Sequence, residues 1–335
     1  MLLNTTQTSL IDLSRKTDGS QDTAAFANDV HTGLSQLPKS LPSRYFYDAE
    51  GSRLFQQIME LPEYYLTRSE YSLINSQKSG MASAFAKGGF FHLIDLGAGD
   101  ALKTKLLLHE LQKQHCSFDY VPIDISGSAM QELTEKLHTE MPDLDAQAVV
   151  GEYIQALQWL QANKTERKVV LFLGSNIGNF EREDSLEFLK QIRACLSPGD
   201  LLLLGVDLRK DPDTILAAYR DEAGVTSAFN LNLLNRINRE LGGDFVVANF
   251  QHFALYDPQG GVMKSFLVSQ QDQTVYLEAT GQRYTFSAWE AVHTENSHKY
   301  TIDLVQEMAD QCGFETAQVY QDEQGLFADV LLKVH

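Results

Sequence analysis

FHLIDLGAGDALKTKLL, residues 91–107, is the stretch whose reading decides the fold. An apolar run ends at Asp95, Gly97 and Gly99 follow at G-x-G spacing, and a helix-like run begins at Lys103. Strand, tight glycine turn and helix in that order form the opening unit of a nucleotide-binding α/β sheet. The next apolar segment, FDYVPIDIS at 118–126, carries a second acidic residue, Asp124, and a carboxylate there suits the two hydroxyls of a ribose. The third glycine of the dinucleotide pattern is missing, and Leu102 stands in its place. A bound pyrophosphate needs close backbone approach at that turn; an adenosine without phosphates does not. The turn therefore points to S-adenosylmethionine rather than NAD, and to methyl transfer rather than hydride transfer.

Outward from this unit, strands are predicted at 91–96, 120–125, 146–150, 168–173 and 200–206, with helices at 103–114, 126–139, 153–162 and 182–196. Strands alternating with helices imply a parallel sheet covered on both faces. After Asp207 the pattern breaks: 213–241 reads as helical, and 245–256, 262–269 and 273–276 as an antiparallel meander. The last segment restores the first pattern, with a helix at 301–312 ended by Gly313 and strands at 315–320 and 326–333. A terminal helix followed by two strands completes a Rossmann-like, seven-stranded class I methyltransferase sheet whose last strand inserts antiparallel. A dehydrogenase sheet does not end so. The expected organisation is a partly ordered lead-in over 1–24, a nucleotide domain of 71–207 plus 299–335, and an α+β substrate domain of 25–70 plus 208–298.

Composition narrows the partners. The 335 residues are 43% hydrophobic and 21% charged, the balance of a globular protein. A formal net charge of −18 repels phosphate backbones, so nucleic acid is not expected as a partner. No apolar run reaches the ~20 residues of a membrane span, and the N-terminus has no basic start before an apolar core, so a secretory signal is not expected. Cys116, Cys195 and Cys312 are odd in number and widely spaced, which argues against a disulfide framework and a zinc site. The expectation is a cytoplasmic monomer acting on a small molecule, with no membrane partner and no metal.

Several residues have a chemical reading beside a plainer one. After the third strand, Glu152 can accept from an adenine amino group and Tyr153 can cover the ring; equally, Glu152 is an acidic residue at a helix start. In LFLGSNIGNF (171–180), Asn176 and Asn179 put neutral amides where donor and acceptor would meet, and a neutral amide holds an amine without protonating it. The plainer reading there is a glycine-rich loop with asparagines in left-handed turns. Tyr219, Phe229 and Leu233 read as core. In HTENSHKY (293–300), an extended chain puts His293, Glu295, Ser297 and Lys299 on one face, with Glu295 and Ser297 ~7 Å apart. A carboxylate can accept one imidazole N–H while a hydroxyl meets the other ring nitrogen. The alternative is a solvated edge strand.

Five segments together carry a resemblance: 44–70, 95–104, 172–180, 219–241 and 294–300. From about Pro38 to the C-terminus the chain resembles the histidine-specific, S-adenosylmethionine-dependent methyltransferases of ergothioneine biosynthesis. The resemblance implies that Gly97, Lys103, Asp124, Glu152 and Tyr153 bind the cofactor, and that Tyr64, Asn179 and Tyr219 hold the amino acid's amine and carboxylate. It implies that Tyr47 lies close to the accepting nitrogen and that Glu295 and Ser297 read the imidazole. The implied reaction adds three methyl groups to the α-amine of free L-histidine, giving hercynine. The pattern departs at Asn176, Asn296 and His298, positions that bear on side-chain preference. The rival readings are a methyltransferase for another amino acid such as tryptophan, a nicotinamide oxidoreductase, and a catalytically silent cofactor-binding module.

Overall fold

The computed structural model of the chain describes residues 9–13 and 19–335. Its strands up to the middle of the chain are β1 (Ser9–Asp12), β2 (Phe91–Leu96), β3 (Phe118–Asp124), β4 (Gln147–Val150), β5 (Lys168–Phe172) and β6 (Leu201–Asp207). Then follow β7 (Phe250–Asp257), β8 (Val262–Ser269), β9 (Gln273–Leu277), β10 (Gln282–Phe286), β11 (Ala291–His298), β12 (Phe314–Gln321) and β13 (Phe327–Val334). The first helices are α1 (Gly19–Ser35), α2 (Ala49–Glu60), α3 (Tyr65–Ala86), α4 (Thr104–Lys113) and α5 (Gly127–Glu140). The remainder are α6 (Tyr153–Asn163), α7 (Arg182–Ala194), α8 (Pro212–Ala217), α9 (Val225–Leu241) and α10 (Ile302–Gln311). The chain divides into two compact units, one of Met1–Arg15, Arg68–Leu208 and Tyr300–His335, the other of Lys16–Thr67 and Arg209–Lys299.

The first unit is built on one sheet of order β1-β4-β3-β2-β5-β6-β13-β12. Strands β1 to β6 pair in parallel. β13 runs antiparallel between β6 and β12, as the terminal helix and strand pair predict. Every residue of β2, β5 and β6 is buried, the mark of strands covered on both faces. Alternate side chains of β2 go to opposite layers. Ile94 and Leu96 join Leu157, Leu160, Leu189 and Ile192 of α6 and α7, whereas Phe91 and Leu93 join Leu73, Ile74, Leu107 and Leu108 of α3 and α4.

The seven expected strands are all present, and an eighth extends the sheet. β1 pairs with β4 from Ser9↔Gln147 to Asp12↔Val150. A four-residue strand in a Ser-, Thr- and Asp-rich stretch has too little periodicity to be read; what makes it a strand is the open edge of β4. The lead-in expected over 1–24 thus contains a strand and the start of α1, and residues 1–8 and 14–18 lie outside the described residues.

The second unit packs Phe26, Val30 and Leu34 of α1, Leu54 and Ile58 of α2, and Phe229, Leu233 and Ile237 of α9 against Leu267, Val275, Leu277 and Val292 of its strands. Two sheets replace the expected meander. β7, β8 and β11 form an antiparallel sheet of order β11-β8-β7, and β9 pairs instead with the unpredicted β10. The helical stretch expected over 213–241 is two helices, α8 and α9, with Phe229 and Leu233 on the second. Asp221 accepts the amide protons of Val225 (2.7 Å) and Thr226 (2.9 Å), and Gly224 turns left-handed at φ 74°, so α9 begins afresh.

Candidate active site

In the first unit the glycine turn, the β3 end and the β5 loop are tied by hydrogen bonds. Gly97 has φ 76° and donates to the Ile123 carbonyl at 2.8 Å. A Cβ there would stand 2.8 Å from Tyr153 Oη, so this position needs glycine for both conformation and space. Asp124 accepts from Gly99 N with one oxygen (3.2 Å) and from Ser126 N with the other (2.9 Å). Ser126 itself caps α5, its hydroxyl accepting from Ala129 N at 3.3 Å, as the sequence suggests. A carboxylate offers about four lone-pair sites, so Asp124 retains acceptors for two hydroxyls while its orientation is fixed. Asp95 is committed elsewhere. Burial pushes its carboxyl up to about 6, against hydrogen bonds from Thr104 and Tyr120, the latter at 2.9 Å.

Glu152 is exposed at the N-cap of α6 and makes no side-chain capping bond. Tyr153 packs its ring edge-on to Phe172 at 5.6 Å and beside Phe188 at 6.0 Å, and burial raises its phenol. The half-buried ring therefore packs against the core, and its hydroxyl end reaches the glycine turn. Asn176 brings its amide nitrogen 3.5 Å from where a Gly97 Cβ would be, and Asn179 lies exposed three residues on. The left-handed residues of this loop are Gly174 (φ 78°) and Ser175 (φ 57°), not the asparagines, which begin and end the 3-10 turn Asn176–Asn179.

Glu70, unread in the sequence, holds this unit's loops together. It is fully buried, it pairs with Lys103 at the start of α4, and it accepts from Gly174 N at 2.7 Å. Its signal was present: Leu66, Glu70, Leu73 and Ile74 share the buried face of α3 at helical spacing. Beside it Asp329 of β13 is fully buried, and burial with the neighbouring Glu70 charge lifts its carboxyl well above the usual range. Both carboxylates crowd Gly205 of β6, where a Cβ would come 2.5 Å from Glu70 Oε1 and 3.1 Å from Asp329 Oδ1.

In the second unit, rings run from surface to interior. Tyr47, 40% exposed, meets Phe55 at 5.6 Å and Phe229 at 5.7 Å; Phe55 meets Tyr64 at 6.3 Å; Tyr64 meets Tyr219 at 6.4 Å. Tyr219 is not a plain core residue. It lies just beyond α8, and its hydroxyl donates to Ser297 Oγ at 2.8 Å. Lys299 Nζ donates to both of these oxygens, each at 2.8 Å, from a side chain almost wholly buried. Burial pushes Glu295 up to about 7, with the Lys299 charge opposing.

The face expected to carry His293, Glu295, Ser297 and Lys299 needs correction. A β-bulge at Thr294 shifts the register between His293 and Glu295, so His293 turns away and its Nε2 meets Asn296 Oδ1 at 2.9 Å. The other three remain together. β8 places Ser265 opposite Glu295 and Met263 opposite Ser297, both buried. From sequence the strand around 263–266 is expected to shape the side-chain pocket, but which of its residues face Glu295 and Ser297 is not readable, because register across strands is not a local property. Among the described residues no cluster of His, Cys, Asp or Glu could hold a metal, the cysteines are unpaired thiols, and no helix is long and apolar enough to cross a membrane.

The site residues named from sequence thus fall into two sets. Gly97, Lys103, Asp124, Glu152, Tyr153 and Asn179 are in the first unit; Tyr47, Tyr64, Tyr219, Glu295 and Ser297 are in the second. The first set offers a turn with no room for a Cβ, a carboxylate with acceptors to spare and a lysine at a helix start.

Comparison with known proteins agrees. Residues 26–334 match the family described as histidine-specific methyltransferase, SAM-dependent. The histidine N-alpha-methyltransferase of Mycolicibacterium smegmatis is 36% identical over 90% of this chain and 93% of its own. Ergothioneine biosynthesis protein 1 of Neurospora crassa is 32% identical over 86% of this chain, a match covering 33% of that longer protein. The N-methyltransferase fsqC of Aspergillus fumigatus is 30% identical over 84% of this chain and 76% of its own. With the family match spanning both units, this chain belongs to the histidine-specific, S-adenosylmethionine-dependent methyltransferases.

Proposed function

We propose that the protein methylates the α-amino group of free L-histidine three times in succession, giving hercynine for ergothioneine biosynthesis. The observation that carries the choice of histidine is the pairing of Glu295 and Ser297 on one face of β11, one a carboxylate, the other a hydroxyl held by two donors. An imidazole offers one N–H and one bare nitrogen, and this pair answers both.

S-adenosylmethionine supplies an electrophilic methyl group on a sulfonium. Asp124 takes the ribose hydroxyls, Gly97 the close approach of the tail, Lys103 its carboxylate, and Glu152 with the hydroxyl end of Tyr153 the adenine side. Tyr64, Tyr219 and Asn179 hold the amino acid's amine and carboxylate. An attacking amine must be uncharged, since its ammonium has no lone pair. Tyr47, the most exposed ring of its row, passes the released proton to water. Holding the amine at near-attack distance can itself supply ~7–11 kcal/mol, so no strong base is called for.

The test is mass spectrometry of purified protein incubated with S-adenosylmethionine and all twenty amino acids. Trimethylated histidine as the sole product supports the reading. Another methylated amino acid keeps methyl transfer and overturns the imidazole role of Glu295 and Ser297. No product with cofactor still bound indicates a silent module.

A further inference from the structure

Ser297, Tyr219 and Lys299 close a triangle of hydrogen bonds, each side 2.8 Å. An ammonium has only protons to give, whereas a hydroxyl has one proton and two lone pairs. Lys299 therefore fixes the direction of the whole ring. Tyr219 Oη accepts from Lys299 and passes its own proton to Ser297 Oγ, which accepts a second time from Lys299 directly. Both lone pairs of Ser297 are then spent, and its proton is what it has left to offer. We propose that Lys299 acts as a positioning residue that makes Ser297 an obligate donor, so that the pocket selects the neutral imidazole in a single tautomer.

The inference rests on the reading that Glu295 and Ser297 meet the ring, and it adds a polarity to it. An ionised Glu295 accepts the ring N–H; Ser297 gives its proton to the bare nitrogen. An imidazolium would set a second N–H against the Ser297 proton, and an indole has no ring acceptor to meet it. A buried donor left facing another donor costs ~1–3 kcal/mol, enough to discriminate. The sign of the selection comes from the lysine. With an apolar side chain at 299, Ser297 would have a lone pair free and could turn to accept.

Among the described residues, other charged and titratable groups lie around the triangle. Glu295 is on the same strand, and the ring of Tyr64 lies 6.4 Å from that of Tyr219. Arg209 Nε donates to the Lys299 carbonyl at 3.3 Å, engaging its backbone rather than its ammonium. On β8 the residues opposite Glu295 and Ser297 are Ser265 and Met263, and Lys264 is opposite Asn296, which bonds His293 on the other face.

The experiment is titration calorimetry of histidine into the full chain saturated with S-adenosylhomocysteine, at pH 7.5 and pH 6.0. The wild-type complex requires both the ring and Glu295 to be unprotonated. With imidazole ordinarily near 6.5 and Glu295 at about 7, Kd should rise at least about tenfold on acidification. In Lys299→Met the imidazolium–carboxylate pair becomes readable, so the rise should shrink to about threefold or less. Lys299→Arg, which keeps the donors, should restore the wild-type slope. Loss of affinity alone, with the slope unchanged in Lys299→Met, overturns the proposal. If Lys299→Met does not fold, Tyr219→Phe takes its place: it removes one of the two donors to Ser297 and should flatten the slope, and an unchanged slope overturns the proposal. Failure of the underlying reading looks different. It would appear as an unchanged histidine Kd in both Ser297→Ala and Glu295→Gln at either pH.

Discussion

Glu295 is a carboxyl that the fold holds in its less natural state. Burial lifts it from an ordinary 4.5 to about 7 in spite of the Lys299 charge. Between those values the folded chain keeps a proton on this group that the unfolded chain has lost. Stability from this residue is therefore present at low pH and declines as pH rises from about 4.5 to about 7, levelling above that. Glu295→Gln abolishes this decline. In urea denaturation at pH 5, 6, 7 and 8, the stability of the variant relative to wild type should increase with pH up to about 7 and then stay constant. A difference independent of pH would mean that Glu295 is not desolvated. The residue scale is also where sequence reading was most uneven. Glu295 and Ser297 were legible because two residues of one strand share a face by simple alternation. Lys299 stood in the same row, but its role was not, because a lysine reads as solvated until a fold is seen to bury it.

Whole elements are fixed by what crosses between them, and in the first unit much of that crossing runs through α3. Glu70 joins α3 to the start of α4 through Lys103 and to the loop after β5 through Gly174 N. Removing one partner of a buried ion pair costs about 3–5 kcal/mol, because the remaining charge and amide lose their partner. Lys103 is not fully enclosed, so Glu70→Ala should lie nearer the lower figure. It should also weaken S-adenosylmethionine binding, since both loops it ties carry proposed ligand positions. Urea denaturation and cofactor titration on the same variant check both effects; loss of stability with cofactor affinity intact would confine Glu70 to packing. The alternation of strand and helix around these loops was readable because β2, β3, β5 and β6 are largely apolar runs of five to seven residues. The edge strand β1, the strand β10 that pairs with β9, and the Thr294 bulge were not. Each owes its conformation to a partner strand distant in sequence, and four or five residues carry no period of their own. The break between α8 and α9 is written in Asp221 and Gly224.

At the scale of the molecule, the proposed function divides its two chemistries between two compact units whose segments alternate along the sequence. The proposed cofactor residues come from the first unit, whereas the aromatic row and the pair proposed to read the imidazole come from the second. This division makes a prediction that needs no catalysis. Amide hydrogen exchange slows where a ligand stabilises the folded state locally, and each opening is governed by its own free energy. S-adenosylhomocysteine alone should protect 97–104, 120–126 and 174–179. Histidine added on top of it should extend protection to 219–226 and 291–299. A ligand at a hundred times its Kd adds about 2.7 kcal/mol of stability, roughly a hundredfold slowing for any amide whose opening releases that ligand. Histidine protecting only segments of the first unit would move the amino acid away from β11, and with it the roles of Tyr219, Glu295 and Ser297. Protection of 291–299 by histidine and not by tryptophan would tie the selectivity to that strand, because indole and imidazole differ at the bare ring nitrogen to which the Ser297 hydroxyl is proposed to donate.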